Sequence, residues 1–181
     1  MPTSLRGDRI VKRLCRNAVM LALAMIFSFV EHLVPLGALL PLPGVKLGLA
    51  NVVITALLFF GSPVDALLVS LCRIGLSALL FGNTASFFFS LLGGVLAYLL
   101  SLICYLFCRR FFSFIGVSVL SATGHHIGQM IAAVLLFDSG AMLTYLPVLL
   151  PAGILMGTLS GWVLNLCEPQ LKKLFERGGN H

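Results

Sequence analysis

The chain predicts an all-α integral membrane bundle of about six transmembrane helices, and three observations carry that expectation. Of its 181 residues 59% are hydrophobic and only 10% charged, whereas a soluble domain carries roughly a quarter charged residues. The mean hydropathy is +1.06. Proline, glycine and charge break the chain into six apolar stretches, over residues 17–34, 47–60, 64–81, 86–107, 115–137 and 143–166, most of them near the ~20 residues that cross a bilayer as a helix.

The first stretch follows the basic segment "RGDRIVKRLCRN", an order shared with secretory signals. It runs into "EHLVPLGALLPLPG" without a small-residue cleavage site, so it is expected to stay as a true span. The second stretch, "LGLANVVITALLFF", is short enough for a tilted or partly embedded helix. The apolar connection before it contains Pro35, Pro41, Pro43 and Gly44 and is expected to fold back onto the outer face. The third opens after "GSP" and closes at "GN", with Asn83 and Thr84 capping it; the fourth runs unbroken to Arg109 and Arg110. The fifth carries the polar insertion "SATGHHIGQM", and "FDSGAM" links it to the sixth. There Gly153, Gly157 and Gly161 recur every fourth residue, a smooth stripe that suits packing within the bundle or contact with another helix. Ala18 and Ala22 repeat that spacing in the first span. The expected organisation is a basic cytoplasmic segment (1–16), a transmembrane domain (17–166) and a cytoplasmic tail (167–181).

Basic residues set the orientation. With the amino terminus in the cytoplasm, all of the 12 Lys and Arg residues except Lys46 and Arg73 fall on the cytoplasmic side, which fits an even number of spans and both termini inside. The net charge of +6 therefore reads as a topology signal; no basic face with interleaved aromatics suggests nucleic acid. The five cysteines are scattered without metal-ligand spacing, and neither a disulfide nor a bound metal is expected.

Orientation gives the intramembrane polar residues a depth. Glu31 and His32 end the outward-running first span, Lys46 and Asn51 flank the start of the second, Arg73 lies midway along the third, and His125, His126 and Gln129 occupy the middle to outer half of the fifth. All converge on the outer half. A charge in hydrocarbon costs at least about 2.5 kcal/mol, so it persists when paired or when it lines a wet cavity. His125 and Gln129 stand i, i+4 on one face with Ser121, while His126 points about 100° away. Two arrangements satisfy these residues: Glu31 neutralises Arg73 and the histidines bond carbonyls across helix contacts, or the group lines a binding site in which one histidine reads the ligand while the other packs. Gly124 and Gly128 beside that face leave room for a ligand or a neighbouring helix.

Three stretches, "LPGVKLGLANVV" (42–53), "VSLCRIGLSALLFGNTASFFFSLLGG" (69–94) and "SATGHHIGQMIAA" (121–133), resemble the Gx transporter family, also described as heptaprenyl diphosphate synthase component I. The resemblance extends from about residue 14 to 166. That family is similar to the substrate-binding S components of energy-coupling factor (ECF) importers, which are six-helix membrane proteins that capture vitamins or related small molecules. The resemblance implies a transmembrane coupling protein and cytoplasmic ATPases as partners, with Ala18 and Ala22 matching an Ala-x-x-x-Ala contact motif. It also makes Lys46, Asn51, Arg73, His125 and Gln129 the candidate substrate-binding residues. His126 stands where a smaller polar residue such as Asn is expected.

Enzyme chemistry is tested by residue type. Prenyl elongation needs clustered carboxylates to hold diphosphate-bound magnesium, and Asp8, Asp65 and Asp138 lie in three separate segments. No DDxxD and no Walker A sequence occur. The expectation is a chain with no catalytic residues and no cofactor of its own: an importer's substrate-capturing subunit, with an accessory membrane subunit of a prenyl synthase as the alternative and a stand-alone facilitator as a third possibility.

Overall fold

The computed structural model describes residues 3–33, 46–81, 84–107 and 113–176, and six α-helices lie within them. They are α1 (Thr3–Leu33), α2 (Asn51–Phe60), α3 (Pro63–Phe81), α4 (Thr84–Phe107), α5 (Phe114–Phe137) and α6 (Leu146–Glu176); a 3₁₀ turn, Gly140–Tyr145, precedes α6. The described residues hold no strand. Five helices are long and apolar enough to cross a membrane, and Asn51–Phe60 is a shorter apolar helix. Pro35, Pro41, Pro43, Gly44, Asn83, Cys108, Arg109, Arg110 and Arg177 lie outside the described residues, and with them the fold-back expected for the first connection and the Asn83 cap.

The distribution of polarity is that of a protein dissolved in lipid. Leu79, Phe107 and Leu135 are 84%, 78% and 71% exposed, while Arg73 is 1% exposed and Gln129 0%. Apolar side chains on the outside cost nothing against hydrocarbon, whereas polar ones must find partners within. The helices extend where sequence reading stopped early. The Arg-rich segment before residue 17 continues α1, and α6 runs ten residues beyond the predicted end at 166. Its tail is held because it has an apolar edge: Phe175 is buried against Phe60, and Leu171 packs on the same core, while Lys172 and Lys173 face out.

α2 is the central element. It is about 15 Å long at 1.5 Å per residue, apolar on nearly every side, and it touches all five other helices. Glycine stripes bring the long helices together around it. A Cβ at Gly157 would fall 2.5 Å from Val119 Cα and one at Gly161 2.4 Å from Ile115 Cα. The sixth-span stripe is thus spent on α5, within the chain, where small residues let two backbones approach. Gly124 and Gly128 do the same for α5 on α4, against Leu100 and Leu92. Among the described residues α1 is the most loosely attached helix: its backbone packs on α2 and α3, and side chains near its start reach α6.

Both described ends of the chain meet at one end of the bundle. There Asp65, at the start of α3 and 2% exposed, accepts hydrogen bonds from Arg13 at 2.9 Å, Asn17 at 2.7 Å and Arg16 at 3.3 Å, while the Arg16 guanidinium lies 4.4 Å over the Phe175 ring. Sequence reading treated Asp65 as an isolated aspartate; the packing makes it the tie between α1 and α3. Asp65→Asn is expected to lower stability by about 1–3 kcal/mol, less than for a fully buried pair because Arg13 is half exposed. Thermal unfolding of the purified protein in detergent measures the loss.

Candidate functional site

The second polar group lies at the opposite end of the bundle. The segment before α2 turns in between α1, α3 and α5, and Gly48, at φ +83°, makes that turn. The left-handed conformation is open to glycine without strain. A Cβ there would also stand 3.1 Å from Asn51 Nδ2 and 3.2 Å from His125 Cδ2, so this glycine lets the segment reach α5. Lys46 Nζ donates to Ser77 Oγ at 3.1 Å, and the Leu49 N–H donates to the Glu31 carboxylate.

Behind this turn sits Arg73, the largest fully buried side chain. Its Nη1 donates to Ser28 Oγ at 3.4 Å. Consecutive glycines on α4 shape the seat: a Cβ at Gly94 would lie 3.4 Å from Arg73 Nη2, and one at Gly93 would lie 2.9 Å from His125 Nδ1. The adjacent Gly93 and Gly94 were a usable sequence signal that the periodicity argument passed over. Glu31 shares this neighbourhood with Arg73 and Lys46, standing one turn beyond Ser28 on α1. Among the described residues neither cation comes within ion-pair distance of it; the Arg13, Arg16 and Lys172 pairs lie elsewhere.

Of the five candidate residues, Lys46, Asn51, Arg73 and His125 share this neighbourhood, all of them buried. Gln129 is buried too but turns aside: its Oε1 lies 3.1 Å from His126 Nδ1. His126 packs toward α6, where a Cβ at Gly153 would stand 2.7 Å from its ring. The sequence placed His125 and Gln129 on one face as a shared lining, whereas the Gln129 side chain is engaged at i, i+3 by the neighbouring histidine. The two rings lie 6.0 Å apart, edge to face, and only His125 faces the cations. His126→Ala is expected to lower stability by roughly 1–3 kcal/mol, since it opens a gap against Gly153 and strips Gln129 of its partner; the unfolding midpoint in detergent checks it.

Glu31, Ser28, Ser77 and Gly48 complete the group, and only Glu31 had been singled out, as a possible counter-charge. Ala18 and Ala22 lie elsewhere, exposed on the face of α1 turned from α2 and α3.

Donors dominate the atoms left over. Arg73 Nε and Nη2, Asn51 Nδ2 and Gln129 Nε2 are buried without a hydrogen-bond partner among the described residues, and so are the carboxylate oxygen Glu31 Oε2 and both ring nitrogens of His125, which can donate or accept. Each such group costs about 1–3 kcal/mol, more when charged. The adjoining crevice, lined by Gly48, Asn51, Thr55, Ser118, Ser121 and Ser160, has room for about one water. A molecule larger than a water does not fit this crevice as it stands, and would require the helices or the turn around it to move.

Comparison with known proteins places this bundle. A family model described as heptaprenyl diphosphate synthase component I matches residues 20–167, which takes in the polar site and at least part of each described helix. No curated protein and no solved structure matches the chain. With the polar residues gathered inside an apolar six-helix bundle and four-fifths of its length matched, this multi-pass membrane protein belongs to the heptaprenyl diphosphate synthase component I family.

Proposed function

We propose that the chain is the substrate-capturing subunit of an ECF-type importer in a bacterial plasma membrane, with its termini in the cytoplasm and the Arg73 site opening to the exterior. One observation carries this reading: two cations, Lys46 and Arg73, and a set of unused donors converge on one place inside the bundle, at the end opposite the termini. Such a group suits a small molecule bearing a carboxylate or phosphate, which accepts several charge-assisted hydrogen bonds at once. Lys46, Asn51, Arg73 and His125 would hold the acceptor; Gln129 Nε2 would join after rotation away from His126. The exposed Ala18 and Ala22 on the loosely attached α1 offer a surface for a coupling protein, through which cytoplasmic ATPases would drive the change of access.

The family description favours a second reading, an accessory membrane subunit of a heptaprenyl diphosphate synthase. Affinity purification from mild detergent separates the two. ATPase subunits together with a membrane coupling protein support the importer; a soluble synthase polypeptide rich in aspartate clusters supports the alternative. Gln129→Ala is expected to weaken capture of the co-purifying small molecule about tenfold, the worth of one buried hydrogen bond, with membrane abundance unchanged. Undiminished uptake by that variant would take Gln129 out of the site.

A further inference from the structure

Glu31 stands out as the carboxylate in a site that also holds Arg73, Lys46 and several unused donors. It is 3% exposed, lies on α1 one turn beyond Ser28, and accepts the Leu49 N–H through Oε1 while Oε2 has no partner among the described residues. Were it only a counter-charge, the low dielectric should draw it onto Arg73 or Lys46, because attraction between buried charges grows steeply as they close. Both cations instead donate to serines, Arg73 to Ser28 and Lys46 to Ser77. Arg73 is bonded to Ser28, one turn before Glu31 on α1, and the carboxylate and the guanidinium stay beyond ion-pair distance, each with unused capacity.

Resting on the reading of this group as a binding site, we propose that Glu31 is a specificity-determining residue and that the ligand class is a small zwitterion. Its anionic group meets Arg73 and Asn51, and its ammonium donates to Glu31 Oε2. The arrangement satisfies the unused donors and the unused acceptor together. A plain anion would leave Oε2 facing the ligand's negative charge, so Glu31 also acts against that competitor.

Three probes of equal chain length test this on the full-length protein in detergent: 4-aminobutyrate (zwitterion), pentanoate (anion) and butylamine (cation), read by thermal shift and by calorimetric titration. Wild type is expected to bind the zwitterion at least about tenfold more tightly than either other probe, as one charge-assisted hydrogen bond implies. Glu31→Gln is expected to erase the preference over the anion, and Glu31→Asp to restore part of it. An unchanged unfolding midpoint without probe shows that the variants fold; if Glu31→Gln does not fold, the wild-type and Glu31→Asp preferences decide. Equal binding of anion and zwitterion by wild type, or a preference that survives in Glu31→Gln, overturns the zwitterion proposal and leaves the capture site standing. Failure of all three probes to bind, together with undiminished uptake in Arg73→Gln, overturns the site itself.

Discussion

Arg73→Ala is expected to weaken ligand capture by about 100-fold or more, corresponding to ~3 kcal/mol, the scale of a lost buried charge-assisted contact. The side chain is buried in the middle of α3, donates to Ser28, and keeps Nε and Nη2 unused. Truncation removes three donors at one stroke. It also leaves Glu31 with Lys46 as its only nearby cation, and an uncompensated buried carboxylate is costly. The single variant should therefore lose stability as well as affinity. The double variant Arg73→Ala/Glu31→Gln separates the effects: its unfolding midpoint should recover toward wild type while capture stays lost. Titration of the co-purified ligand and thermal unfolding in detergent give the two readouts. Wild-type affinity in either variant would remove Arg73 from the binding group.

Gly128→Leu should have the largest structural effect. A Cβ at Gly128 would fall 2.4 Å from Leu92 O and 2.7 Å from Gly93 Cα. Both are backbone atoms, and no rotamer change relieves the clash; α4 and α5 must separate along their length. Overpacking of a flexible core costs about 1–3 kcal/mol, and a backbone obstruction lies above that range. Gly93 is also the surface against which His125 is seated, so the displacement carries straight to the polar site. Loss of folded protein from the membrane fraction is the expected result, with Gly128→Ala showing a milder form. Gly75→Ala is the matched control on α3, because nothing lies within 4 Å of a Cβ there, and its accumulation should equal wild type.

The sequence carried its clearest message in composition and in the placement of charge. With so few charged residues in so apolar a chain, the solvent was evident, and with it the helical fold, since a spanning helix satisfies its backbone polar groups internally. Breaks at proline, glycine and charge located each of the described helices, including the short Asn51–Phe60. The ends of α1 and α6 were set too far inward for one physical reason: hydropathy marks where lipid ends, whereas a helix continues as long as something packs against it, as Phe175 does on Phe60 and Arg16.

The candidate site was legible as a list of expensive residues at similar depth. Lys46, Asn51, Arg73 and His125 could be grouped because a polar group in hydrocarbon demands a reason. Which way each side chain turns was not legible. Helical geometry assigns His125 and Gln129 to one face, yet Gln129 bonds His126, because Gly153 on α6 leaves space for the second ring and the bond satisfies both polar groups.

Sequence by itself thus determined the solvent, the helices and the depth of the polar residues, because those follow from local hydropathy and a fixed rise per residue. Only the tertiary structure decided that α2 would stand at the centre, that Asp65 would tie α1 to α3, and that Glu31 would face Arg73 without closing on it. Those outcomes depend on which glycines admit a neighbouring backbone and on which serine lies within reach of a cation, relations between residues far apart in the chain that no local pattern encodes.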